Sequence, residues 1–365
     1  MSGNSVEERV NRWIRPAIRE LSAYAVPNAE GFVKLDAMEN PWPWPGELQD
    51  AWLDALRHLR LNRYPDPRAT RLVSALREAM ALPQGSGVLL GNGSDELIQM
   101  IAMALAGPGR CVMAPEPGFV MYRMIATFVG MEYVGVPLRE DFGLDEAAML
   151  EAIERHRPAV IFLAYPNNPT GNLFDEGAMR RIIRAAPGLV VVDEAYHAFA
   201  EASFLGDLES HPNLLVMRTL SKLGLAGLRL GLLVGAEPWI REFDKVRLPY
   251  NINTLTQASA EFALHHRERL EIQAARIRAE RERLMAELEA IPWVKPCPSR
   301  ANFILFRVPE GAGEPVFEQL LGRRILIKNL GAAGGMLRDC LRVTVGTPEE
   351  NRLFVQALKA VKTGS

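Results

Sequence analysis

At 365 residues the chain exceeds what one hydrophobic core usually organises, so two domains are expected. Its 48% hydrophobic and 24% charged content is that of an ordinary globular protein, and a net charge of −2 argues against nucleic acid or an anionic membrane as partner. Charges or prolines interrupt every apolar run, so none is long enough to span a bilayer. Near the N-terminus Val6-Glu7-Glu8-Arg9 lacks the apolar core of a signal peptide. Cys111, Cys297 and Cys340 have neither a metal-type spacing nor an even count. Together these features point to a reduced, cytoplasmic setting.

Taken along the chain, residues 1–45 read as an arm, with a helical stretch over 10–22 and then the proline-stiffened loop Met38-Glu39-Asn40-Pro41-Trp42-Pro43-Trp44-Pro45. Helical patterns follow over 46–59 and 69–81, separated by Asn62-Arg63-Tyr64-Pro65-Asp66-Pro67. From Val88 onward short apolar strands alternate with helices; the strands are expected over 88–90, 111–114, 160–164, 189–192, 214–218 and 230–234. Strands that are apolar on both faces and separated by helices indicate an α/β layer, here residues 46–253, with a mainly parallel sheet sandwiched by helices. Beyond Pro249 the texture changes. One long arginine-rich helical region over 254–289 leads to strands over 302–306, 325–327 and 341–345 and a closing helix from Pro348. Residues 254–365 therefore read as a smaller α+β domain, which the arm joins.

Four segments carry candidate chemistry. Thr219-Leu220-Ser221-Lys222 sets a lysine among small and apolar residues, with Arg229 seven positions on. A lysine in such surroundings loses solvation of its ammonium form, so its pKa falls and the neutral amine becomes a usable nucleophile. Asp193 ends an apolar strand at the carboxyl edge, where open α/β sheets place ligands, and Tyr196 follows it. Asn168 precedes Pro169 in Asn167-Asn168-Pro169-Thr170-Gly171, a turn sequence. Gly91-Asn92-Gly93-Ser94-Asp95-Glu96 lies between a strand and a helix. It suits either an ordinary turn or an anion cradle, in which backbone N–H groups and the helix dipole favour negative charge. One cofactor needs both an amine as its imine anchor and a nearby cation for its phosphate: pyridoxal 5′-phosphate.

Three of these segments, Asn167 to Gly171, Val190 to Tyr196 and Thr219 to Lys222, taken in chain order, resemble the aspartate-aminotransferase-like family of pyridoxal-phosphate enzymes, from about Leu21 to the end of the chain. Within it the chain looks most similar to the histidinol-phosphate aminotransferases of class II. The resemblance implies the type I fold of pyridoxal-phosphate enzymes and a homodimer with shared active sites. The implied reaction converts histidinol phosphate and 2-oxoglutarate to imidazole acetol phosphate and glutamate, in histidine biosynthesis. It implies that Lys222 is both the imine anchor and the base, that Asp193 pairs with the ring nitrogen, and that Tyr196 and Asn168 hold the phenolic oxygen. The phosphate falls to the positions of Ser94 and Asp95, with Ser221 and Arg229. In many relatives the arginine stands eight positions after the lysine, so the shorter loop here must be tighter. Phe119 matches the aromatic that stacks on the ring, whereas Tyr122 reads as core.

The resemblance further implies that Tyr64 crosses to the partner subunit's phosphate. On the substrate side it implies Tyr24, Asn40, Tyr250 and Arg342, the last suited to a carboxylate or a phosphate. Lys328 stands where most relatives have a second arginine; it keeps the charge but loses the bidentate fork. No histidine arrangement suggests a metal. Competing readings are an aromatic or broad-specificity aminotransferase, a threonine-phosphate decarboxylase, and a regulatory module that binds the cofactor without turnover.

Overall fold

The computed structural model describes residues 5–23 and 26–362, so Tyr24 lies outside the described residues. The chain opens with α1 (Val6–Trp13), α2 (Pro16–Arg19) and β1 (Val33–Lys34). Where one helix was expected over 10–22 there are two short ones. Ser5 and Glu8 form a capping box that starts α1 early, and Pro16 at the first turn of α2 disfavours a helical Arg15 before it.

There follow α3 (Gly46–Leu56), α4 (Thr70–Ala79), β2 (Ser86–Asn92), α5 (Ser94–Leu105), β3 (Cys111–Glu116), α6 (Val120–Val129), β4 (Glu132–Pro137), α7 (Glu146–His156) and β5 (Val160–Ala164). The chain continues through α8 (Glu176–Ala185), β6 (Leu189–Asp193), α9 (His197–Ala200), β7 (Leu214–Thr219), β8 (Leu230–Ala236) and α10 (Glu237–Asp244). Their strands form a seven-stranded sheet in the order β2-β8-β7-β6-β5-β3-β4. Only β8 runs against the rest; β7, β6, β5, β3 and β4 are parallel.

Every residue of β5, β6 and β7 is buried, and the side chains divide by alternation. Val160, Phe162, Leu189, Val191, Leu215 and Met217 pack with Leu97, Ile101, Tyr122 and Ile125 of α5 and α6. Ile161, Leu163, Val190, Val192, Leu214 and Val216 pack on the other face with Leu72, Met149, Ile153 and Ile182 of α4, α7 and α8. Each fully buried aliphatic side chain stabilises by about 1.5–3 kcal/mol relative to exposure. Covering both faces is what makes these strands continuous apolar runs. Edge strand β4 was missed because its sequence, EYVGVP, lacks such a run and buries Val136 alone.

The expected long helix after residue 253 is broken at His266 into α11 (Thr254–His265) and α12 (Arg267–Glu289). α11 buries Ala260, Ala263 and Leu264 in the core containing α4, α7 and α8. α12 enters that core with Leu270 and then buries Ile277, Leu284 and Leu288 in a separate one. After β9 (Lys295–Pro296), that second core is completed by β10 (Phe303–Arg307), α13 (Gly313–Gly322), β11 (Ile325–Leu326), β13 (Cys340–Thr344) and α14 (Pro348–Lys359), with β12 (Lys328–Asn329) lying between β11 and β13 in the chain. An antiparallel sheet has the order β12-β13-β10-β9. β1 pairs in parallel with β11, Val33 opposite Ile325, and Leu35 sits in the same core. No helix among the described residues is long and apolar enough to cross a membrane.

Candidate active site

Parallel strands bring their carboxyl ends to one edge, and there Ala164, Asp193 and Thr219 stand on the neighbouring strands β5, β6 and β7. One cavity at this edge is lined by Ser94, Asp95, Phe119, Asn168, Asp193, Tyr196, Ser221, Lys222 and Arg229, with Met38 closing it from the arm side. Nine residues singled out in the sequence therefore share one hollow.

Lys222 lies in a 3-10 turn after β7, where its Nζ donates to the Ala37 carbonyl at 3.2 Å. Burial, followed by the positive charge of Arg342, pulls its pKa down from 10.5 to about 8. Asp193 is 4% exposed. Its Oδ1 accepts from the Ala195 N–H at 3.1 Å and its Oδ2 from the Tyr122 hydroxyl at 2.7 Å. Burial pushes this carboxyl up from 3.8 to about 6; the two hydrogen bonds oppose the rise, and the charges of Asp95 and Glu194 add to it.

Asn168 joins two sides of the site. Its Nδ2 donates to the Tyr196 hydroxyl at 3.2 Å, and its Oδ1 accepts from Arg342 at 2.6 Å. Arg342, on β13, also donates to the Asp36 carbonyl at 3.2 Å.

An anion cradle forms where β2 gives way to α5. Gly93 has φ +82°, and a Cβ there would stand 2.6 Å from Arg229 Nη2. Ser94 and Asp95 open α5, so their amides carry the positive end of its dipole. Arg229 reaches Ser221 Oγ and Asp95 Oδ2, each at 3.4 Å. The seven-residue path from Lys222 is taken up by two 3-10 turns hinged at Gly224, whose φ is +117°. Despite the short loop, Arg229 therefore returns beside Ser221. Asp95 Oδ1 is buried without a hydrogen-bond partner.

The remaining predicted positions among the described residues do not line this cavity. Asn40 Nδ2 donates to the Leu223 carbonyl at 3.2 Å and to Gln273 at 3.0 Å, bracing the turn that carries Lys222. Lys328 stands opposite Arg342 in the β12–β13 pairing. Tyr64 and Tyr250 stack on each other with ring centroids 4.4 Å apart and are 80% and 39% exposed.

Two features escaped the sequence reading. Tyr122 is core, as expected, yet its hydroxyl bonds Asp193; its spacing of three from Phe119, which sets both on one helix face, was the available signal. Glu194, fully buried, accepts from Arg218 at 2.9 Å, Ser203 at 3.0 Å and the Phe204 N–H at 2.6 Å. That pair anchors the loop carrying Tyr196. Its partners are 24 residues apart in the chain, beyond any local pattern.

Pyridoxal 5′-phosphate fits this donor set. The set offers a lysine with lowered pKa, an anionic partner for a protonated ring nitrogen, two amide or hydroxyl donors near one point, an aromatic face in Phe119, and an anion cradle opened by Gly93 at a φ of +82°.

Comparison with known proteins agrees. The pattern of the aminotransferase class I and II family matches residues 32–358. Histidinol-phosphate aminotransferase 2 of Nitrosococcus oceani is 57% identical over 354 residues, 97% of this chain and 98% of that protein. Histidinol-phosphate aminotransferase 1 of Ralstonia nicotianae is 54% identical, covering 98% of this chain and 96% of that protein. Among solved structures, histidinol-phosphate aminotransferase from Sinorhizobium meliloti in complex with pyridoxal-5′-phosphate superposes with a TM-score of 0.84 at 25% identity, covering 95% of this chain and 96% of that one. A site built on Lys222, Asp193 and Asn168 at the carboxyl edge of this sheet, with such relatives over nearly its whole length, places the chain in the class I and II aminotransferase family.

Proposed function

We propose that the protein is a pyridoxal-phosphate-dependent histidinol-phosphate aminotransferase of histidine biosynthesis. It exchanges the amino group between histidinol phosphate and 2-oxoglutarate, yielding imidazole acetol phosphate and L-glutamate. The observation that carries this reading is the single cavity joining Lys222, Asp193, Asn168 and Tyr196 to an anion cradle, in a chain 57% identical to a histidinol-phosphate aminotransferase. The cofactor, when bound, supplies an electrophilic carbon that carries the amino group and a ring that draws electrons from the substrate α-carbon.

The chain's own groups do the rest. Lys222 anchors the cofactor, and its Nζ takes the proton from the α-carbon and returns it on the other side of the exchange. Asp193 holds a proton on the ring nitrogen, while Asn168 and Tyr196 hold the phenolic oxygen. Phe119 covers the ring face. The amides of Ser94 and Asp95, the Ser221 hydroxyl and the Arg229 guanidinium bind the phosphate. Arg342, already tied to Asn168, binds the substrate anion. That anion is a phosphate in histidinol phosphate and a carboxylate in glutamate, and a guanidinium serves both. Tyr24, Asn40, Tyr250 and Lys328 complete the substrate side.

The test is a rapid-mixing experiment on the cofactor-loaded enzyme with histidinol phosphate, phenylalanine and threonine phosphate. Histidinol phosphate should bleach the visible cofactor absorbance fastest at low concentration. Faster bleaching by phenylalanine would reassign the chain to the aromatic aminotransferases, and release of carbon dioxide from threonine phosphate to the decarboxylases.

The same reading makes the enzyme a cytoplasmic homodimer in which Tyr64 reaches the partner subunit's phosphate. Tyr64 and Tyr250, stacked on each other, are exposed, which leaves Tyr64 accessible to a second copy. Sedimentation should give twice the chain mass; a monomer with full activity would remove the role given to Tyr64.

A further inference from the structure

We propose that Tyr122 is a positioning residue of the active site. Its phenol, donating to Asp193 Oδ2 at 2.7 Å, keeps that carboxylate charged and turned toward the cofactor's ring nitrogen. The assignment rests on the reading of the site as a pyridoxal-phosphate centre.

A tyrosine buried to 1% exposure needs a partner for its hydroxyl, and the fold supplies a carboxylate where a backbone carbonyl would have satisfied it. The ring is fixed on two sides. Phe162 of β5 stacks against it at 4.7 Å with planes 10° apart, and Phe119 meets it edge-on at 5.5 Å. Phe119 caps the start of α6 and Tyr122 lies in that helix's first turn, so one helix end places both the ring cover and the donor to Asp193.

Proton ownership follows from the surroundings. Burial and the adjacent Asp193 charge push the Tyr122 hydroxyl well above its usual range, so it stays protonated and can only donate to Asp193. Tyr133 of β4 and Tyr196 face the same phenol. Around Asp193, Asp95 from α5 and Glu194 next in the chain favour the protonated carboxyl, as burial does. Lys222 and Arg229 complete the charged groups of the cavity. Against burial and the two carboxylates, Tyr122 and the Ala195 N–H are the donors that hold the charge on Asp193. Removing the phenol leaves one of them.

Tyr122→Phe deletes only the oxygen and keeps the ring between Phe162 and Phe119. In the cofactor-free protein labelled with ¹³C-aspartate, infrared titration follows the Asp193 carboxyl, with Asp193→Asn identifying its band. The midpoint should rise by about one unit in Tyr122→Phe, a tenfold gain in proton affinity. Placing 3-fluorotyrosine at position 122, a more acidic phenol of nearly the same shape, should move it the other way. In the loaded enzyme the acid limb of kcat should shift upward with KM for both substrates within about twofold, the pattern of a group that acts on the chemical step rather than on binding. An Asp193 midpoint unmoved by Tyr122→Phe, or by the fluorinated ring if Tyr122→Phe does not fold, overturns the proposal. The infrared readout needs no turnover. A shifted midpoint in a chain that never transaminates would refute the proposed function and leave the Tyr122–Asp193 link standing.

Discussion

Lys222→Ala is expected to lower turnover by more than about 10²–10⁴-fold, since that range covers the loss of a positioned general base alone and the cofactor anchor goes with it. Lys222→Arg separates charge from chemistry. Arginine keeps a cation beside Tyr196, but with a pKa above about 12 it offers no neutral amine, so it should be as inactive as alanine. Added methylamine should restore part of the activity of Lys222→Ala and none of that of Lys222→Arg. The pH dependence has a definite sign. With the amine pulled down to about 8, the wild-type apoenzyme should take up pyridoxal 5′-phosphate faster as pH rises through 8, because the neutral form is the nucleophile. More than one per cent of wild-type turnover in Lys222→Ala without added amine would mean that another group is the base.

Asp193→Asn is expected to act in opposite directions on stability and on activity. Burial holds the folded carboxyl near 6 against an ordinary 3.8, about two units or roughly 3 kcal/mol at neutral pH. A group raised in this way binds more protons in the folded than in the unfolded state between those values. Its charge therefore costs stability progressively as pH climbs from 3.8 to 6, and fully above 6. The amide of asparagine carries no charge and can still accept from Tyr122. Urea unfolding of the cofactor-free variant at pH 7 should thus show it more stable than wild type by up to about 3 kcal/mol, with the gain vanishing below pH 4. Turnover should fall by about 10²–10³-fold, the scale for losing one preorganised electrostatic partner of the reacting charge. A variant that is both less stable and fully active would contradict both halves.

This opposition explains how the site could be read from sequence. A carboxylate at the end of a wholly apolar strand, and a lysine just after another, conflict with folding stability and so stand out as functional. The segments around Lys222, Asp193, Asn168 and Ser94 are each local, with their chemistry and their neighbours in one short run. Strands β5, β6 and β7 were legible for a similar reason: their burial on both faces is written as unbroken runs of Val, Ile and Leu.

Other features were not legible. Strand β4 is half-exposed at the sheet edge, and the break at His266 does not interrupt the helical composition. The seven-residue step from Lys222 to Arg229 raised a question that only backbone geometry answers, through the left-handed Gly224 and two 3-10 turns.

By itself, then, the sequence determined the α/β class, the positions of the central strands and the short segments that hold the lysine, the aspartate and the Gly-Asn-Gly turn, because each depends on neighbours in the chain. Only the tertiary structure decided which groups meet. Tyr122 bonds Asp193 from 71 residues away, Arg342 reaches Asn168 across 174, and Glu194 closes on Arg218 behind the site. Those contacts arise where packed helices and sheets bring distant side chains to hydrogen-bonding distance, and no periodicity along the chain encodes which pairs will touch.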